Sequence, residues 1–152
     1  MENTEHNRYM QMALDLAKKG MYSSMPNPRV GCVVVHNHQI VGQGWHSKTG
    51  EDHAEVIALS QAGQKAKGAT AYITLEPCNH HGKTPPCTEA LISAGIGTVV
   101  YAMDDPNPEV SAKSTGILKV AGVKVIQGIL HQESKDLNIG FVKRMESGLP
   151  YI

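Results

Sequence analysis

Between positions 53 and 87 the chain places an imidazole, a carboxylate and two thiols at spacings that suit a metal centre. His53-Ala54-Glu55 comes first, Glu76-Pro77-Cys78 follows, and Cys87 comes after eight further residues. Zinc takes imidazole nitrogen and thiolate sulfur readily, and a catalytic zinc keeps three protein ligands and leaves its fourth position to water. His53, Cys78 and Cys87 are the three expected ligands. A water held in the fourth position is acidified towards neutrality and becomes a nucleophile at ordinary pH. Glu55 is the expected proton carrier beside it. Glu55 stands two residues past His53 and so does not share its face on a helix. It reaches the open position only if the start of that helix points at the metal.

The elements that must position these groups follow from the hydrophobic pattern. Residues 5–19 read as an amphipathic helix, with Tyr9, Met12, Ala13, Leu16 and Ala17 at three- and four-residue spacing, Thr4 as its cap and Gly20 at its end. Residues 30–35 form a short apolar strand, His36-Asn37-His38-Gln39 supplies a turn, and 40–45 continues as a second strand, giving an antiparallel hairpin. Gly42 and Gly44 weaken that second strand or mark a close backbone approach. A second helix starts at Asp52, with His53, Val56, Ile57 and Ser60 on its inner face, joined by Leu59, and Gly63 near its end. After a polar connection at 65–68, residues 70–75 form a central strand leading into Glu76-Pro77-Cys78. A helix over 88–94 opens beside Cys87, where the dipole favours a thiolate. A strand over 98–102, a weaker helix over 111–121 broken in pattern by Gly116, a strand over 123–127 and a helix over 132–145 spaced by Leu137, Phe141 and Met145 complete the order. Helices between the last three strands make those strands parallel. The expected architecture is a three-layer α/β/α sandwich on a five-stranded mixed sheet, with an N-terminal hairpin and parallel C-terminal strands.

Composition excludes several classes. The chain has 152 residues, enough for one domain with a sizeable core, and its fourteen basic residues balance fourteen acidic ones. A chain without net charge lacks the electrostatic footprint of a nucleic-acid binder. Three cysteines are an odd number for a disulfide framework. Two belong to the motif, where reduced thiolates are needed, and this suits a reducing compartment. The third, Cys32, lies in an apolar run and reads as a small core residue. The N-terminus shows no apolar signal region and no stretch is long and apolar enough to span a membrane, so the expected location is cytoplasmic.

Zinc nucleobase deaminases carry His-x-Glu followed by Pro-Cys-x-x-Cys. Here Cys78 and Cys87 instead enclose Asn79-His80-His81-Gly82-Lys83-Thr84-Pro85-Pro86. In this longer form the chain resembles the deaminase domain of the bifunctional riboflavin-biosynthesis deaminase–reductase. The resemblance is carried by His53-Ala54-Glu55-Val56, Thr74-Leu75-Glu76-Pro77-Cys78, Gly82-Lys83-Thr84-Pro85-Pro86-Cys87 and Asn27-Pro28-x-Val30-Gly31, and it covers nearly the whole chain. It implies the cytidine-deaminase-like fold, a Zn2+ cofactor and hydrolytic deamination of diaminohydroxyphosphoribosylaminopyrimidine to the aminouracil product and ammonia. It also implies a deaminase domain over 1–147, a linker from 148 towards a reductase domain, and a homo-oligomer; no nucleic acid or membrane is an expected partner.

The same resemblance assigns the substrate contacts. Asn27 alone reads as a loop asparagine satisfying local backbone, and the resemblance makes it a contact to the substrate base. His46 reads equally as a structural histidine or a ligand-facing one, and the resemblance favours the second. His80 and Lys83 read as solvated loop residues until a phosphorylated substrate gives the lysine a purpose. Asp105 and Asn107 follow the fourth strand, where ligands of open α/β sheets bind. They read as ordinary turn residues or as holders of ribosyl hydroxyls, and here too the resemblance favours function. His36 and His38 are expected to be solvated turn residues. Two other readings stand beside this one: a deaminase of cytosine, guanine or tRNA adenine, and a catalytically silent zinc module. Neutral charge and the long insertion weigh against the first. Three ligands plus a glutamate suited to proton transfer weigh against the second, since structural zinc has four protein ligands.

Overall fold

The computed structural model describes residues 2–18, 30–45, 53–77, 87–103 and 113–137. Their elements run α1 (Glu2–Lys18), β1 (Gly31–His36), β2 (Gln39–Trp45), α2 (Ala54–Ala62), a short 3-10 turn (Gly63–Ala66), β3 (Thr70–Ile73), α3 (Cys87–Ser93), β4 (Thr98–Tyr101), α4 (Lys113–Val120), β5 (Lys124–Gln127) and α5 (His131–Leu137). The strands form a five-stranded sheet in the order β2-β1-β3-β4-β5. β1 pairs antiparallel with both β2 and β3, while β3, β4 and β5 run parallel. The expected hairpin, parallel strands and mixed sheet are all present.

The hairpin closes through Asn37 and His38, both at positive φ (51° and 63°). Two consecutive left-handed residues give the turn whose twist matches that of the flanking strands, and asparagine tolerates the first position well. Tyr9 of α1 donates its hydroxyl hydrogen to the His38 carbonyl (3.1 Å), and Glu5 meets His38 Nδ1 at 2.8 Å. The exposed His38 is therefore a turn residue tied to α1 and takes no part in the metal centre. A bulge follows: Val34 faces Gly42 and Val35 faces Ile40, which leaves Val41 as the extra residue.

Helices cover both faces of the sheet, so β1 is buried along almost its whole length. Cys32, Val34, Ala71, Ile73, Val99 and Tyr101 pack against α2, α3 and α4. Val33, Val35, Tyr72 and Val100 pack against α1 on the other face, with Ile129 and Leu130 just before α5 beside them. The three layers expected from the element order are thereby filled.

Helix α2 departs from the expected face. Its buried residues are Ala54, Glu55, Ala58 and Ala62, whereas Val56 and Ile57 are half-buried and Ser60 is exposed. The cause lies in β2. A Cβ built on Gly42 would stand 2.1 Å from the Ala58 carbonyl oxygen, and one on Gly44 would stand 2.7 Å from the Ile57 Cβ. Two glycines on the strand and alanines on the helix bring the backbones together, so the larger side chains are displaced to the flank. Gly42→Ala is expected to destabilise the protein towards the upper end of the roughly 1–3 kcal/mol typical of overpacking, because backbone rather than a flexible side chain must yield. Denaturant unfolding of the variant checks this, and an unchanged midpoint would refute the close contact.

Other boundaries differ for identifiable reasons. Helix α1 begins at Glu2, so Thr4 lies inside it, and Met10 and Leu14 widen the buried stripe. Gly116 does not break α4; it sits exposed within a continuous Lys113–Val120 helix with open space around it. Of the helix expected over 132–145, His131–Leu137 is observed, while Phe141, Met145 and the domain boundary at 147–148 lie outside the described residues. Among the described residues no helix is long and apolar enough to cross a membrane.

Candidate metal centre and active site

β1 runs antiparallel to both β2 and β3, so β2 and β3 end at the same edge of the sheet. β4 is parallel to β3 and ends there too. The helices that follow these strands, α2, α3 and α4, therefore all begin above that edge, the place where open α/β sheets bind ligands. They also lie on one face, packed on a common core.

His53 is the N-cap of α2, with extended backbone (φ −69°, ψ 159°), and its carbonyl accepts the first helical hydrogen bond from Ile57 N–H at 3.2 Å. This corrects the expectation that the helix begins at Asp52 with His53 on its inner face; Asp52 itself lies outside the described residues. The correction resolves the spacing of His53 and Glu55. With His53 off the helix and Glu55 in its first turn, both side chains reach the same point although they are only two residues apart. Glu55 is 3% exposed and stands where the positive end of the helix favours a carboxylate. Cys87 is the first residue of α3 and is 1% exposed.

The structure brings these three residues together. Ligand atoms of His53, Glu55 and Cys87 all lie within 4.8 Å of one another, and His53 Nδ1 stands 3.1 Å from Cys87 Sγ. The donor set fits zinc: one imidazole nitrogen and one thiolate sulfur, with a carboxylate alongside. Ordinary zinc–nitrogen and zinc–sulfur bonds at a tetrahedral angle place the two donors roughly 3.5 Å apart, so His53 and Cys87 need part by only a few tenths of an ångström.

Cys32 lies buried in the core of the same face. Burial pushes its thiol well above the ordinary range, and the Glu55 carboxylate adds to the rise. A thiol held protonated is a poor donor, so Cys32 is a core residue as its apolar run implied. Cys78, Asn27, His46, His80, Lys83, Asp105 and Asn107 lie outside the described residues.

The sequence reading gave no role to the polar residues that brace the end of β3. Thr74 N–H donates to the Gly31 carbonyl (3.1 Å), and Gly31 N–H donates to Thr74 Oγ1 (3.1 Å). Ser134 of α5 donates to the Thr74 carbonyl at 2.6 Å. Glu76, 2% exposed, accepts the Ser114 N–H at the start of α4 (3.0 Å). Ser114 Oγ in turn donates to the Pro77 carbonyl. Their sequence signals are the Thr74-Leu75-Glu76-Pro77-Cys78 motif itself and, within it, a glutamate placed between an apolar strand and a proline, where burial demands a partner.

The family model of the cytidine and deoxycytidylate deaminase zinc-binding region matches residues 3–103. A diaminohydroxyphosphoribosylamino-pyrimidine deaminase of Buchnera aphidicola is 56% identical over 142 residues, which cover 93% of this chain and 97% of the relative. The riboflavin biosynthesis protein RibD of Escherichia coli is 56% identical over 144 residues, 95% of this chain but 39% of the longer protein. The solved structure of Acinetobacter baumannii RibD superposes with a TM-score of 0.97 at 53% identity, covering 99% of this chain and 43% of that one. The chain thus spans about two fifths of these longer proteins and nearly all of the shorter one.

Proposed function

The chain belongs to the cytidine and deoxycytidylate deaminase family and, within it, to the diaminohydroxyphosphoribosylaminopyrimidine deaminases, and we propose that it hydrolyses the amine of that phosphoribosyl pyrimidine in riboflavin biosynthesis. The observation that carries this reading is the convergence of His53, Glu55 and Cys87 within 4.8 Å at the starts of α2 and α3. His53 and Cys87, with Cys78, would hold a zinc ion, which when bound would supply a water acidified to near neutral pH. Glu55 takes a proton from the attacking water and delivers protons to the ring nitrogen and the departing amine. The water oxygen ends on the ring carbon, the carbon–nitrogen bond breaks, and the amine leaves as ammonia. Burial of Glu55 keeps bulk water from competing for the proton it carries.

Substrate choice rests with groups around the ring. Asn27 and His80 read ring polar atoms, Asp105 and Asn107 hold the ribosyl hydroxyls, and His46 and Lys83 meet the phosphate. A site built to pair such groups penalises analogues that lack them, because its own polar residues are left unmatched. In longer relatives about three fifths of the protein lies outside the matched part, and a reductase there is the natural consumer of the product; both work in the cytoplasm, and the assembly is a homo-oligomer. The test is ammonia release from the purified chain. The phosphoribosyl pyrimidine is expected to be turned over, with cytosine, cytidine and tRNA adenosine ignored. Efficient turnover of cytidine or tRNA would reject the assignment, and equal efficiency on the dephosphorylated pyrimidine would remove Lys83 and His46 as phosphate contacts.

A further inference from the structure

Beyond Ile73 the β3 segment leaves the ladder, yet it leads directly to Cys78, the metal ligand proposed above. Four residues of this extension, Thr74 to Pro77, are buried, and two of them are polar. Glu76 is held at both ends. Its backbone N–H donates to the Met103 carbonyl just past β4 (2.9 Å), and its carboxylate Oε2 accepts from Ser114 N–H in the first turn of α4 (3.0 Å). Ser114 Oγ then returns to the Pro77 carbonyl. One glutamate thus joins the exits of β3 and β4 and the entrance of α4, and the returned hydroxyl fixes the residue immediately before Cys78.

We propose that Glu76 is a positioning residue for the metal centre: its carboxylate, acting through Ser114, fixes Glu76-Pro77 so that Cys78 is delivered as a ligand. This rests on the assignment of Cys78 to the metal. Glu76 touches neither substrate nor the reacting atoms in this role. A buried carboxylate is costly unless its hydrogen bonds are made; here the Ser114 N–H in the first turn of α4 supplies one. The bond therefore ties a buried side-chain acceptor to the start of α4. Groups that orient metal ligands in this way typically change metal affinity or activity by about 10–100-fold when removed.

The test is the rate at which zinc leaves the full chain to an excess of a colorimetric chelator, measured at a temperature where circular dichroism shows each variant folded. Glu76→Ala is expected to release zinc roughly 10–100-fold faster than wild type. Glu76→Gln keeps an oxygen able to accept the Ser114 N–H and should restore slow release. Ser114→Ala, which keeps its N–H but loses the bond to Pro77, should release zinc faster than wild type even if Glu76→Ala does not fold. A purely structural role would lower the melting temperature of these variants without changing release from the folded state. Wild-type release from Glu76→Ala or Ser114→Ala, or release from Glu76→Gln as fast as from Glu76→Ala, overturns the proposal. The readout needs no substrate, so a chain that binds zinc tightly but deaminates nothing would reject the proposed reaction and leave the role of Glu76 standing.

Discussion

Glu55→Gln is expected to leave the fold and the metal content unchanged and to abolish nearly all turnover. The amide matches the carboxylate in size, so the buried first turn of α2 keeps its packing, and the helix loses a favourable charge at its start. The amide cannot accept and release a proton near neutral pH. General acid–base groups contribute typically about 10²–10⁴-fold, and Glu55 acts on the water, the ring nitrogen and the leaving amine in turn, so a loss at the upper end is expected. Steady-state ammonia release, with circular dichroism and zinc analysis on the same sample, checks this. A variant with normal rates would assign the proton transfer to another group.

Cys87→Ala carries the second large effect. In the folded chain Cys87 is buried beside His53, and both sit at helix starts whose positions are fixed by packing on the sheet. Removing the thiol takes away the sulfur 3.1 Å from the His53 imidazole and reduces the proposed ligand set from three to two. Purified wild type is expected to hold close to one equivalent of zinc per chain, and Cys87→Ala to lose most of it. Cys78→Ala should behave alike. Full metal content in both variants would dissolve the site as drawn. Cys32→Ala is the control: its thiol lies in the core, and burial keeps it protonated. It should alter stability without stripping the metal.

Three of the motif residues, His53, Glu55 and Cys87, were legible because their chemistry is unusual. An imidazole, a carboxylate and two thiols at those spacings have few bland uses, and His53, Glu55 and Cys87 do converge. The sheet was legible because strand length, the Asn37-His38 turn and alternating helices leave few topologies. What failed was the packing of α2. Helical periodicity marks large apolar residues as the inner face, yet Val56 and Ile57 yielded to Ala54, Ala58 and Ala62. Nothing within the helix announces that its partner strand carries glycines at 42 and 44; only the pairing of the two elements does. Gly116 was misread for the opposite reason, since a glycine on an exposed helix face costs about 1 kcal/mol and breaks nothing when tertiary packing holds the helix. Glu76 was invisible as a positioning residue because its partner, Ser114, is distant in sequence and contributes a backbone N–H, which every residue but proline has.

The strand order has a consequence for how the chain assembles. Only β1 and β2 are neighbours in sequence as well as in the sheet with a two-residue connection; β1 meets β3, and β3 meets β4, only after an intervening helix has been accommodated. Loop closure makes such pairings late and slow relative to the hairpin. His53 and Glu55 enter with the helix that follows the hairpin, while Cys87 enters with the helix that joins β3 to β4. The donors therefore meet only when the middle of the sheet has closed. A metal that recognises this cluster recognises the finished molecule: it adds to stability by mass action, about 2.7 kcal/mol at a hundredfold excess over its dissociation constant. Its effect then falls on the rate of unfolding, because interactions absent from the folding transition state slow the escape from the native state and leave the approach to it unchanged.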